Sequence, residues 1–201
     1  MSTSANKVNL KIASVQMVST PDLQENLSTA SRLIAASAAD GVQLAVLPEY
    51  FCLMGLKDTD KVNAREAPGS GPIQERLAAI AKENNIYLVA GTIPLEAKES
   101  NKVLNTSLVF NPQGEQIARY DKIHLFGFQT ATERYQESET IEAGNEPGLL
   151  KISVDGNDWT FGLSICYDLR FPEIFRAAAR RGASLFVVMA LWPVKRQQHW
   201  L

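Results

Sequence analysis

Three polar side chains stand at the carboxyl ends of expected strands. Glu49 follows the run at 42–47 and Pro48, Lys122 follows 116–120, and Cys166 follows 159–165. In α/β sheets the carboxyl ends of strands are where ligands gather, although many strand-end residues are ordinary. The combination of types carries more weight than the position. A thiol is a strong nucleophile only as its thiolate, which requires a base or a nearby positive charge. A glutamate can take the thiol proton, and a lysine can hold both the thiolate and the oxyanion that forms on attack. Together they supply a base, an electrophile and a nucleophile with no histidine. Each also has a plainer reading on its own. Cys166 can be a small buried apolar residue, Glu49 an acid at a helix N-terminus, and Lys122 a solvated surface lysine.

The elements that would position these residues follow from the pattern. Residues 10–15 lack a helical period and read as a buried strand. Thr20 and Pro21 read as the N-cap and first residue of a helix. Leu23, Leu27, Ala30, Ile34 and Ala38 continue it at helical spacing, and Gly41 ends it. Residues 42–47 then form a second strand, parallel and adjacent to the first. A helix over 72–84 and a strand over 86–93 come next. Hairpins are expected at 106–110/116–120, around 111–114, and at 149–154/159–165, around 155–157. Phe171 and Pro172 open a helix that runs to about Arg181, and 185–190 is a last strand. Residues 50–70 and 124–144 are long connections. Parallel units mixed with hairpins predict a mixed sheet covered by helices, in one α/β domain over 10–201 behind a flexible polar tail at 1–9. Residues 197–201 read as the start of a further helix, so the chain is expected to be a piece of a longer one.

Composition limits the partners. The 201-residue chain has a formal net charge of −2, which gives no reason to expect nucleic acid or an anionic membrane. No segment approaches the roughly 18 to 20 apolar residues of a membrane helix. The polar start lacks a signal-peptide core, which makes the cytoplasm the expected location. Two cysteines, Cys52 and Cys166, and two histidines, His124 and His199, show neither CxxC nor HxxxH spacing, so no disulfide framework or metal site is expected. No GxGxxG or phosphate loop points to a nucleotide cofactor, and the chemistry needs none.

Three segments resemble the nitrilase superfamily of carbon–nitrogen hydrolases, in its branch of ω-amidases and deaminated-glutathione amidases. Leu44-Ala45-Val46-Leu47-Pro48-Glu49 is similar to the family's strand ending in the general-base glutamate. Tyr120-Asp121-Lys122-Ile123-His124-Leu125-Phe126 is similar to its lysine motif. Ser164-Ile165-Cys166-Tyr167-Asp168-Leu169-Arg170-Phe171-Pro172-Glu173 is similar to its nucleophile motif. The order and spacing match too, and the likeness runs from Lys11 to the last residue. It implies an α-β-β-α sandwich, truncated here at its C-terminus, and often paired with a second copy as a homodimer or larger homo-oligomer. It implies catalysis by Glu49, Lys122 and Cys166, with a second glutamate between the lysine and the cysteine. Tyr135-Gln136-Glu137-Ser138 matches the surroundings of that glutamate, which assigns the role to Glu137 with Glu133, Glu139 and Glu142 as rivals.

The implied reaction is hydrolysis of a small linear amide through a thioester on Cys166, releasing ammonia and a carboxylic acid. The Tyr167 backbone N–H would join Lys122 at the oxyanion. Nitrile or N-carbamoyl amino acid hydrolysis is the neighbouring reading, and a non-catalytic interaction module is the reading from another class. Arg170 can clamp a substrate carboxylate or serve as scaffold, since arginine forks do both. His124 suggests a Cys–His dyad, but packing or hydrogen bonding is the more usual role beside such a motif. Cys52 reads as a core thiol near the pocket. Tyr50, Phe128 and Trp192 are candidates for a pocket wall, with plain core packing the commoner use of such rings.

Overall fold

The structure, a computed structural model, describes residues 9–192, 194 and 198. The tail expected over 1–9, apart from Asn9, and the helix start expected over 197–201, apart from Gln198, lie outside the described residues.

The chain opens with β1 (Ile12–Ser14), α1 (Leu23–Ala39) and β2 (Leu44–Val46), then α2 (Asp60–Asn63), α3 (Pro72–Glu83), β3 (Tyr87–Val89) and β4 (Ile93–Glu96). It continues through β5 (Val103–Phe110), β6 (Gln116–Asp121), β7 (Gly127–Gln129), β8 (Arg134–Gln136) and β9 (Ile141–Glu142). The last elements are β10 (Gly148–Val154), β11 (Asn157–Ile165), α4 (Pro172–Arg180) and β12 (Leu185–Met189). One sheet runs β1-β2-β3-β5-β4, with β6 and β9 also paired to β5; a second runs β10-β11-β12. β7 and β8 form a separate hairpin.

Period-two alternation explains the layering, because successive strand residues point to opposite faces. Ala45, Leu88 and Leu108 face α1 and α3, joining Leu27, Ile34, Leu77 and Ile80 in one core. Their neighbours Leu44, Val89 and Val109 face the second sheet and pack with Leu150, Ile152, Phe161 and Leu163. α4 lies over β11, where the Ala178 methyl and the Phe186 ring both crowd Gly162. The order is therefore helix, sheet, sheet, helix, as the resemblance implied. Each fully buried aliphatic or aromatic side chain contributes about 1.5–3 kcal/mol relative to an exposed one. Among the described residues, no helix is long and apolar enough to cross a membrane.

β1 and β2 pair in parallel, and both expected hairpins form. Two expectations need correction. The first helix begins two residues later than Pro21, with Asp22 as its cap: the carboxylate accepts from the N–H groups of Gln24 at 2.8 Å and Glu25 at 3.0 Å. The strand expected over 86–93 is broken into β3 and β4. Gly91 adopts φ +49° there, and a Cβ on it would lie 2.1 Å from the Pro48 carbonyl oxygen. The break lets the chain bend against the turn that carries Glu49. The two long connections also hold more structure than expected: α2 in the first, and β7, β8 and β9 in the second.

Candidate active site

Two sharp turns, one from each sheet, present the central residues. After β2 the chain turns at Tyr50, which takes φ +54° and donates its N–H to Thr92 Oγ1 at 2.9 Å. After β11 it turns at Cys166, with φ +49°. Left-handed conformations are costly for residues with a Cβ and persist only where the surroundings enforce them. At Cys166 the enforcing group is Asp168. Its fully buried carboxylate accepts from Ile165 N at 2.9 Å, Tyr120 Oη at 2.6 Å and His124 N at 3.0 Å, and it lies 2.7 Å from His124 Nδ1. The same carboxylate thereby ties β6 of the first sheet to the turn that follows β11 of the second.

Lys122 has no exposed surface, and Glu49 and Glu137 are 2% and 5% exposed. The Lys122 ammonium donates to Glu49 Oε1 at 3.0 Å and lies 3.0 and 2.9 Å from Glu137 Oε1 and Oε2. Glu49 is held further by Asn105 Nδ2 at 3.0 Å on Oε1 and by the Leu191 N–H at 3.1 Å on Oε2. Glu137 Oε2 accepts the Phe126 N–H at 2.7 Å, and the Tyr50 hydroxyl lies 3.5 Å from Oε1. Every oxygen of the two acids is thus partnered, as burial of charge requires.

The electrostatics follow from this arrangement. Burial alone would lower the pKa of Lys122, but Glu49 and Glu137 outweigh it and hold the ammonium charged far into the alkaline range. Burial pushes Glu137 upward, with Glu49 adding to it and Lys122 opposing. Burial also raises the Cys166 thiol well above its ordinary value; Glu49 repels the thiolate and hydrogen-bonds with the protonated thiol, while Lys122 pulls the other way. Burial and Glu49 thus favour the thiol over the thiolate, and Sγ lies 3.5 Å from the Leu191 carbonyl oxygen. One ammonium against two carboxylates gives the cluster a net charge of −1. Moving the thiol proton to Glu49 leaves that total unchanged, whereas releasing it to solvent would bury a second negative charge.

Cys166, Glu49 and Glu137 open on a cavity of about 290 Å³. Its walls are Tyr50, Phe126, Phe128, Tyr135, Tyr167 and Trp192, with Leu191 completing the lining. Tyr50, Phe128 and Trp192 therefore face the pocket as well as packing. Burial and the neighbouring Glu137 carboxylate keep the Tyr50 and Tyr135 hydroxyls protonated. The cavity is apolar except where the reacting groups project, the usual make-up of a small-molecule site.

The structure brings Glu49, Lys122, Glu137, Cys166 and Tyr167 to one place. Of the four candidate second acids, Glu137 is the one bonded to Lys122. Arg170 is exposed and absent from the cavity wall; its guanidinium stands 5.6 Å from the Trp192 ring centre. His124 takes the hydrogen-bonding role, on Asp168, and stacks on Phe171 with ring centres 3.6 Å apart. Cys52 is a core thiol that donates to the Thr92 carbonyl at 3.6 Å, with its pKa pushed up to about 12 by burial. Sequence reasoning missed Asn105 and Asp168. The available signal for Asn105 was the polar triplet Asn105-Thr106-Ser107 in the middle of a strand with apolar ends. Asp168 stood inside the quoted nucleophile motif, but nothing local says that it points back under the turn.

Comparison with known proteins gives the family. A carbon–nitrogen hydrolase family model matches residues 11–201. A deaminated glutathione amidase of Synechocystis is 37% identical, over 94% of this chain and 69% of the relative. An omega-amidase of Xenopus tropicalis is 36% identical, over 88% of this chain and 62% of its own length. The solved structure of an amidase from Nesterenkonia sp. AN1, described as bearing a Michael adduct of acrylamide at its active-site cysteine, superposes with TM-score 0.78 at 28% identity, covering 94% of this chain and 70% of that one. With the family model spanning nearly the whole chain and the same fold in its relatives, the chain belongs to the carbon–nitrogen hydrolase family, the nitrilase superfamily.

Proposed function

We propose that this protein is an amidase that hydrolyses a small linear amide through a thioester on Cys166. The observation that carries the proposal is the buried Lys122 ammonium bonded to both Glu49 and Glu137, with every acid oxygen partnered, beside a buried thiol at the wall of an apolar cavity. Glu49 takes the thiol proton as the sulfur attacks the amide carbon. The oxyanion that forms is met by the Lys122 ammonium and the Tyr167 backbone N–H. As the tetrahedral species collapses, the C–N bond breaks and Glu49 returns the proton to the departing nitrogen, which leaves as ammonia. Glu49 then takes a proton from water as the hydroxide equivalent adds to the thioester. The C–S bond breaks, the sulfur recovers a proton, and the acid is released.

Glu137 keeps Lys122 oriented and charged throughout, and Arg170 braces the Trp192 wall. No step calls for a metal or organic cofactor. The relatives named as amidases support an amide over a nitrile or an N-carbamoyl amino acid. Self-association as a homodimer, which the resemblance implied, belongs to the same reading, and sedimentation equilibrium measures it directly. The test is ammonia release from primary aliphatic amides, in parallel with nitriles and N-carbamoyl amino acids. Amide turnover that Cys166→Ala abolishes supports the proposal; turnover of the nitriles alone, or of no amide, removes it.

A further inference from the structure

We propose that Asn105 is a positioning residue that makes Glu49 a one-sided base: together with Lys122 it fills Oε1, so the proton of the reaction travels through Oε2. The inference rests on the amidase reading above and adds which atom of the base works. Asn105 lies in β5 and is 3% exposed. A carboxylate oxygen only accepts, so the nitrogen of the Asn105 amide is the atom that faces Glu49. It donates to Oε1 at 3.0 Å, and the Lys122 ammonium donates to the same oxygen at 3.0 Å. Each carboxylate oxygen has two lone pairs, and both on Oε1 are taken. Oε2 takes one backbone donor, the Leu191 N–H at 3.1 Å, which leaves it a lone pair for the thiol proton.

Leu191 fixes which oxygen faces the sulfur. Its N–H holds Oε2, and its carbonyl oxygen lies 3.5 Å from Cys166 Sγ. The backbone of one residue therefore brackets the two atoms that exchange the proton. During acylation the proton leaves Sγ for Oε2 as the S–C bond forms, and leaves Oε2 for the amide nitrogen as the C–N bond breaks. With two donors on Oε1, the carboxyl group cannot turn the proton away from the cavity without breaking both bonds. The backbone carbonyl of Asn105 also accepts the Lys122 N–H at 3.0 Å. The main chain of Asn105 thus fixes the lysine and its side chain fixes the acid, so a side-chain substitution isolates the second effect.

The test takes whichever of acetamide, propanamide and butanamide is turned over fastest, with the S-methyl thioester of the same acid, and measures kcat/KM for both against pH. The acyl group is shared, but a departing thiolate needs no proton, whereas a departing nitrogen does. Asn105→Leu fills the space of the amide and Asn105→Ala vacates it, so an effect common to both comes from the lost donor. Each should lower the amide-to-thioester ratio of kcat/KM by about 10-fold, the usual worth of a charge-assisted hydrogen bond. Each should also move the acidic limb of the amide profile up by about one pH unit, because a carboxylate that loses a donor holds its proton to higher pH. If Asn105→Leu does not fold, Asn105→Ala carries both readouts. A purely structural role predicts equal losses on both substrates at every pH, and that result overturns the proposal. So does an acidic limb that stays in place, or a ratio that falls in only one of two folded variants. These outcomes leave the amidase reading standing; a wild-type protein that releases ammonia from none of the three amides defeats that reading and the role of Asn105 with it.

Discussion

At the scale of single residues, the site is a problem of charge held out of water. Cys166 is kept as a thiol by burial and by Glu49, so its reactivity depends on a proton acceptor being within reach. Glu49→Gln removes that acceptor at nearly unchanged volume, while its amide nitrogen gives up either the bond from the Leu191 N–H or those from Asn105 and Lys122. We expect it to lower kcat by about 10²–10⁴, the usual worth of a general base. Because a raised thiol pKa leaves the thiolate scarce throughout the neutral range, alkylation of Cys166 by iodoacetamide in the wild-type protein should climb about tenfold per pH unit from 7 to 9. A rate already level at pH 7 would mean a preformed thiolate.

Lys122→Met removes an oxyanion donor and should cost about 10²–10³ in kcat. It also leaves two buried acids facing each other. Glu137 already has its pKa raised in the folded protein, and without the ammonium that rise increases. A carboxylate raised on folding binds its proton more tightly in the native state, so its charging costs stability as the pH rises through the folded value. The Tm deficit of Lys122→Met relative to wild type should therefore widen from pH 5 to pH 8. A deficit that is constant with pH would contradict the charge assignment.

At the scale of elements, the catalytic geometry depends on two turns and on what stands behind them. The β3–β4 break brings Gly91 against the Pro48 carbonyl, so the turn bearing Glu49 sits on backbone with no room for a side chain. Gly91→Ala adds both a strained φ and a clash, and should cost at least about 2 kcal/mol, read by denaturant unfolding. Behind Cys166, Asp168 collects donors from Tyr120, His124 and Ile165. Asp168→Asn replaces one acceptor oxygen with a donor and leaves at least one of those groups unpaired, at a cost of about 2–4 kcal/mol. Tyr120→Phe, which removes only one bond, should cost about 1 kcal/mol. If the two substitutions cost the same, Asp168 is not the hub described here.

At the scale of the whole molecule, the two sheets must stay in register for their turns to meet. Phe161 is buried in the layer between them, among residues of both sheets and away from the cavity lining. Phe161→Ala should cost about 3–5 kcal/mol, seen in thermal unfolding, yet leave kcat well below the melting temperature within about 3-fold.

Much of this architecture was legible in the sequence. The apolar runs ending at Glu49 and Cys166 mark strands because their period is too short for a helix, and Asp155 with Gly156 marks a turn. What was not legible depends on tertiary contact. A glycine inside an apolar run does not say that it will meet Pro48, which lies 43 residues earlier. The apolar segment 86–93 therefore read as one strand. Asp22 outdid Thr20 as a cap because its carboxylate reaches two N–H groups at once. Arg170 sits four residues after the nucleophile, yet it stands over Trp192 and outside the cavity wall, a direction that spacing alone does not give.

The most direct measurement is the mass of the intact protein during turnover of an amide, with and without hydroxylamine. An acyl adduct is expected on Cys166 whose added mass equals the amide less ammonia, and hydroxylamine should discharge it as the hydroxamate. Steady ammonia release with no adduct on Cys166, no hydroxamate, and full activity in Cys166→Ala would contradict the thioester on Cys166.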